Sequence, residues 1–165
     1  LLAMFNGGLL QMLGIPFAVL AVLAIGGGWG WSRLADGRDG DIRRDYEPRN
    51  PLELRGALAF ALLFLGMMVA TQLAARYLGQ AGVYGLAAVM GVTDVDPFIM
   101  GMTQAAGKST ALPVGAAAIL IAAASNNLIK GIYAYVLGGR ATGQFALILL
   151  CILSALGLAP WLWLR

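Results

Sequence analysis

The sequence predicts an all-α, polytopic membrane protein with about five transmembrane helices, the third of them broken near Thr93 to Pro97. Three observations predict it. Of 165 residues, 60% are hydrophobic and only 12% charged, roughly half the charged fraction of a soluble domain. Uncharged apolar runs near the ~20 residues that span a bilayer recur along the chain. Six of the eight carboxylates fall between Asp36 and Glu53, so Asp94 and Asp96 stand alone in uncharged sequence.

The composition also excludes. Histidine is absent and Cys151 is the only cysteine, which removes imidazole bases, imidazole ligands, cysteine-cluster metal sites and an intrachain disulfide. The net charge of +3 is no nucleic-acid footprint, because the basic residues interleave with acids in one loop. No cofactor is expected. Residues 1–165 read as a single helical membrane domain. Leu1 is not methionine and opens directly into apolar sequence, so the domain reads as the C-terminal part of a longer chain. Leu1 to Trp31 lacks the basic start of a signal peptide, and its apolar run is too long for one.

Helix 1 is expected at roughly 9–30, closed by Gly26-Gly27-Gly28 and by Trp29 and Trp31, which suit a membrane interface. Pro16 either kinks this helix or marks its start. Residues 32–50 mix acids and bases with Gly37, Gly40 and Pro48 and read as a hydrated loop. Asn50, Pro51 and Glu53 form a helix start: a cap, a first-turn proline and an acid at the positive end of the dipole. The uncharged run between Arg55 and Arg76 is helix 2.

Helix 3 begins near Gln80, breaks at Thr93 to Pro97, and resumes through Phe98 and Gln104 to Gly107-Lys108. Pro97 lacks an amide donor and disfavours helical geometry at Asp96. Ser109 or Thr110 caps helix 4, with Pro113 in its first turn. Gly115 to Ala124 is rich in alanine, so another helix backbone can come close. Asn126 and Asn127 fall within ~5 Å of the middle of helix 4 and Lys130 about 9 Å beyond it. Gly138-Gly139-Arg140 ends that helix, and 141–164 is helix 5, closed by Trp161 and Trp163. Hydropathy alone does not tell whether the two halves of helix 3 cross the membrane or re-enter. With five crossings, eight basic residues fall on the side of the 32–50 loop, which makes that loop cytoplasmic by the positive-inside rule. A re-entrant helix 3 moves Lys108 and Arg165 to the other side and weakens the bias, so five crossings are favoured. The tryptophans of helices 1 and 5 then share that side.

Three segments in order, Asn50 to Arg55, Gly85-Leu86-Ala87-Ala88 leading into Thr93 to Asp96, and Ser125 to Lys130 followed by Leu137 to Arg140, resemble the C-terminal, uncharacterised membrane domain of MgtC/SapB-type bacterial proteins. The resemblance covers about 50–165. It implies a bacterial inner-membrane location and a preceding N-terminal membrane region. Where it has a small residue after the acids, this chain has Pro97.

The sequence therefore points to a transporter or channel subunit for a small ion or solute. Its candidate binding residues are Thr93, Asp94, Asp96, Asn126, Asn127 and Lys130, and any metal would fall to Asp94 and Asp96. Broken helices place carboxylates and freed carbonyls at mid-membrane in many transporters, and an all-oxygen donor set suits hard cations. The alternative is a structural or regulatory subunit that transports nothing, in which Asp94 caps a half-helix, the asparagines bond neighbouring helices and Lys130 snorkels. An enzyme is not expected, since Ser125 and Lys130 lie off one helical face. The expected partners are the lipid bilayer and a homo-oligomer or larger membrane complex, without nucleic acid.

Overall fold

A computed structural model describes residues 2–35, 54–137 and 140–163. Most of the expected hydrated loop, the helix start at Asn50, Pro51 and Glu53, and the glycine stop at Gly138-Gly139 lie outside the described residues. The elements are all helical: α1 (Leu2–Phe5), α2 (Gly7–Ala35), α3 (Leu54–Val92), α4 (Val95–Ala105), α5 (Leu112–Leu137), α6 (Arg140–Leu158) and a 3₁₀ turn (Ala159–Trp163). Pro16 lies inside α2.

The centre of the protein is α5. Half of its most apolar stretch is buried, against 11% in each of the other long helices. Gly115, Ala116, Ala117, Ala118, Ala122 and Ala124 are all buried. In a bilayer lipid tails are as apolar as a neighbouring helix, so close van der Waals contact has to supply the attraction, and small residues permit it. The close-packing face expected from the alanines is therefore present. α6 packs antiparallel along α5: Gly143 lies against Ala134 and Tyr135, Gly131 against Leu147 and Leu150, and the Ser154 hydroxyl donates to the Ala124 carbonyl at 3.0 Å.

Among the described residues four helices are long and apolar enough to cross a membrane, not about five. Packing between the first and last of them explains the difference. Trp31 stacks on Phe145 with ring centroids 4.0 Å apart, Gly27 faces Leu149, and Leu20 faces Gly157. Farther along, Met12 and Ile15 share a groove with Leu156 and Pro160. Thus α2 and α6 run antiparallel, which requires an even number of crossings. The expected sharing of one side by the tryptophans fails for the same reason. Trp31 sits at the start of α6, whereas Trp161 sits past its end, edge-on to Tyr84.

The missing crossing is in the third expected helix. α3 is interrupted at Gly79, whose φ of 61° and ψ of −148° belong to a region that essentially only glycine occupies. This divides α3 into an arm over 54–78 (α3a) and an arm over 80–92 (α3b), as the expected boundary between Arg76 and Gln80 requires. The chain doubles back here, since a side chain at Gly82 would meet Leu78 and the carbonyl of Ala74, eight residues earlier.

From Gly79, α3b runs inward. Tyr84 packs on Trp161 near the start of α5, while Ala88 and Gly91 reach Ser125 and Ala122 near its middle. α4 then returns: Ala106 and Met102 lie against Gly115, back at the start of α5. α3b and α4 thus enter and leave at one end of the bundle. Each arm is only 11–13 residues long, about half a bilayer at ~1.5 Å per residue.

The return is closed tightly. Gly107 (φ 81°) permits a turn in which the Ala105 carbonyl accepts from the amides of Lys108, Ser109 and Thr110. Asn6 clamps the same end, donating to the carbonyls of Thr103 (2.9 Å) and Ala106 (2.8 Å).

Candidate functional site

The tip of the α3b–α4 pair is the helix break itself. Thr93 closes α3b with a short turn: its amide (3.2 Å) and its hydroxyl (3.3 Å) both donate to the Met90 carbonyl. Asp94 is the one residue between the arms with extended geometry (φ −128°, ψ 108°). Its Oδ1 accepts from the Asp96 amide at 3.1 Å, which makes it the N-cap of α4. Capping satisfies one of the amides that open a helix without partners. Asp96 lies in the first turn, where its charge is favoured by the helix dipole.

Pro97 acts differently from the expectation. It was expected to hold Asp96 out of the helix, but α4 starts at Val95 and the extended residue is Asp94. Pro97 occupies the third helical position, where its missing amide costs no hydrogen bond because first-turn amides have no helical acceptor.

The break is two-sided. Val95, Pro97 and Phe98 are buried, whereas Thr93, Asp94 and Asp96 are exposed. The apolar side anchors α4 in the core and leaves two carboxylates and a hydroxyl on the open side. Among the described residues no further half-helix follows the tip toward the other end of α5.

The anchor on the α5 side is Ser125. Its hydroxyl donates to the Ala88 carbonyl at 2.8 Å. One turn later in α3b, Gly91 is so close to α5 that a Cβ there would lie 2.5 Å from the Ala122 carbonyl and 2.6 Å from the Ser125 Cβ. The break is therefore held beside the turn of α5 that carries Asn126 and Asn127. The sequence reading placed these groups at one level and missed the part of Ser125. A serine beside two asparagines near the middle of a membrane helix was the available signal.

The two asparagines do not act together. Asn126 is one helical turn beyond Ala122, on the α3b side, and Lys130 is one turn beyond Asn126 on that same face. Asn127 instead lines a cavity of about 290 Å³ between α2, α5 and α6, among Phe17, Leu20, Leu120, Leu150 and Leu153. Lys130 is exposed, and among the described residues no ion pair joins it to Asp94 or Asp96. Also among the described residues, no group of three or more His, Cys, Asp or Glu side chains converges as a metal cluster. A cation at the break would draw on two carboxylates, the Thr93 hydroxyl and water, a hard-cation donor set.

Residues 1–138 match a family model described as a domain of unknown function, DUF4010. An uncharacterized protein of Aquifex aeolicus (strain VF5) is 30% identical over 93 residues, which is 56% of this chain and 40% of that protein. The chain thus spans well under half the length of that relative. Neither match names MgtC/SapB-type proteins. No solved structure matches.

Proposed function

The chain belongs to the DUF4010 family, whose description carries no activity, and from the site itself we propose that this membrane protein is a transporter or channel subunit for a small cation, with Asp94 and Asp96 as its binding carboxylates. One observation carries the reading: two half-helices meet at a tip that presents Thr93, Asp94 and Asp96 on its open side, beside the middle of α5. Carboxylates at that depth are costly unless a cation, a proton or water reaches them. Asn126 and, one turn farther, Lys130 supply an oxygen ligand and a competing ammonium on the facing helix.

A second reading is favoured by one contact. Asp94 caps α4, so the acids serve a structural end-turn and the protein is a non-transporting subunit of a membrane complex. Substitution separates the two, because asparagine caps about as well as aspartate whereas alanine does not. In proteoliposomes assayed for sodium, magnesium and calcium flux, wild type should conduct at least one ion. Asp94→Asn should abolish that flux with little change in stability, and Asp94→Ala should additionally lose about 1 kcal/mol. Flux through Asp94→Asn and Asp96→Asn equal to wild type would show that the carboxylates are not the site.

A further inference from the structure

A second polar cavity lies at the opposite end of α4 from the acids. Its volume is about 240 Å³, and it separates α3a from the end of α4. Thr71 and Gln72 line one wall, Gln104, Lys108 and Ser109 the other, over a floor that includes Met68. Every polar group in this set can donate a hydrogen bond, and one carries a positive charge.

Three features separate the cavity from an ordinary surface cleft. Thr71 is only 3% exposed, yet its hydroxyl has no hydrogen-bond partner among the described residues. Thr71 is among the residues that line the cavity. Thr103, by contrast, bonds back to the Ile99 carbonyl at 2.7 Å, the usual refuge of a helical threonine. The Thr71 hydroxyl is not sealed from solvent, so it remains free to donate to a ligand in the cavity that Thr71 lines. Next, Lys108 is not consumed in capping α4. Asn6 takes the Thr103 and Ala106 carbonyls, and three turn amides take that of Ala105. Last, no carboxylate competes among the described residues. Asp94 and Asp96 are at the far end of α4, about 16 Å away at ~1.5 Å per residue.

We propose that this cavity binds a phosphate oxyanion, either free phosphate or the headgroup of an anionic phospholipid. Donors from both walls suit a tetrahedral anion, and lysine is a common point-charge partner of phosphate. At about 30 Å³ per water, there is room for a phosphate group and several waters. The cavity lies at the end of the spans, the depth at which headgroups sit. This proposal is independent of the cation reading of Asp94 and Asp96.

The test uses the full chain in detergent at fixed ionic strength. Thermal unfolding is followed in sodium phosphate against sodium chloride, and separately with phosphatidic acid against phosphatidylcholine of the same chain length. A ligand that binds only the folded state raises the midpoint in proportion to its occupancy. A rise with inorganic phosphate identifies a free-anion site, and a rise with phosphatidic acid alone identifies a headgroup site. In either case Lys108→Gln should weaken binding at least tenfold and Thr71→Val about tenfold, with Arg33→Gln unchanged. No rise with either ligand, or equal rises in wild type and Lys108→Gln, would overturn the proposal. Lys108 is exposed, so its variant folds and decides the matter even if Thr71→Val does not.

Discussion

Asn6 uses its side chain fully. Its Nδ2 donates to two carbonyls at the end of α4, and its Oδ1 accepts from the Leu9 amide at 3.0 Å, which caps α2. One residue thus ties the first span to the returning arm. Asn6→Ala removes two hydrogen bonds and a cap, each worth about 1 kcal/mol, so a loss of about 2–3 kcal/mol is expected. Asn6→Asp retains the cap but sets a carboxylate against two carbonyl oxygens, and should be no more stable than the alanine variant. Unfolding in detergent measures both, and an Asn6→Ala midpoint equal to wild type would show that the clamp contributes nothing. None of this was legible in the sequence, because the partners of Asn6 lie 97 and 100 residues away. Asp94 was legible, because its partner is two residues on and acids before a proline mark a helix start.

Among the elements, the α3b–α5 contact positions the site, and glycines set its distance. Gly91→Ala would place a methyl group against the Ala122 carbonyl and Ser125, both on a central helix that cannot move cheaply. Overpacking of this kind typically costs 1–3 kcal/mol, and it should also shift the break and so reduce flux. Gly85 lies in the same arm, and a methyl group there would have nothing within 4 Å. Gly85→Ala should therefore be neutral or gain up to ~1 kcal/mol of helix propensity. Equal effects of the two substitutions on thermal stability would mean that α3b is not seated on α5 as described. The sequence showed that a helix breaks near Thr93 and that another ends near Arg76, since Pro97 and the charges are local signals. Hydropathy did not show that the two arms turn back. An 11–13-residue apolar arm reads alike whether it continues across or returns, and only its contacts with Trp161, Ser125 and Gly115 decide. Helical spacing alone likewise separates Asn126 from Asn127 by ~100°, but only the packing tells which neighbour each one meets.

At the scale of the molecule, four helices long and apolar enough to cross among the described residues, with an α3b–α4 pair that turns back, change which segments share a side. Both ends of the described chain and the turn at Gly107 to Ala111 lie at one end of the bundle. The end of α2 and the start of α3 lie at the other, with the end of α5 and the start of α6. Basic residues then divide as Arg33, Arg38, Arg43, Arg44, Arg49, Arg55 and Arg140 against Arg76, Lys108 and Arg165, with Lys130 inside α5. Seven against three still favours a cytoplasmic 36–53 segment, although Lys108 and Arg165 have changed sides relative to five crossings. The tip acids, held by arms that enter from the Lys108 end, then face the cytoplasmic half of the membrane. Single cysteines in a Cys151→Ser background test the arrangement in intact cells with a membrane-impermeant thiol reagent. Ser109→Cys should label rapidly and Asp41→Cys only after the cells are opened. Labelling of both positions from the same side would require an even number of crossings between them and remove the turn-back. Labelling of Asp41→Cys alone in intact cells would keep the fold and reverse its orientation. With the expected pattern, Asp94→Cys should react from the cytoplasmic side and be protected by whichever cation the flux assay identifies.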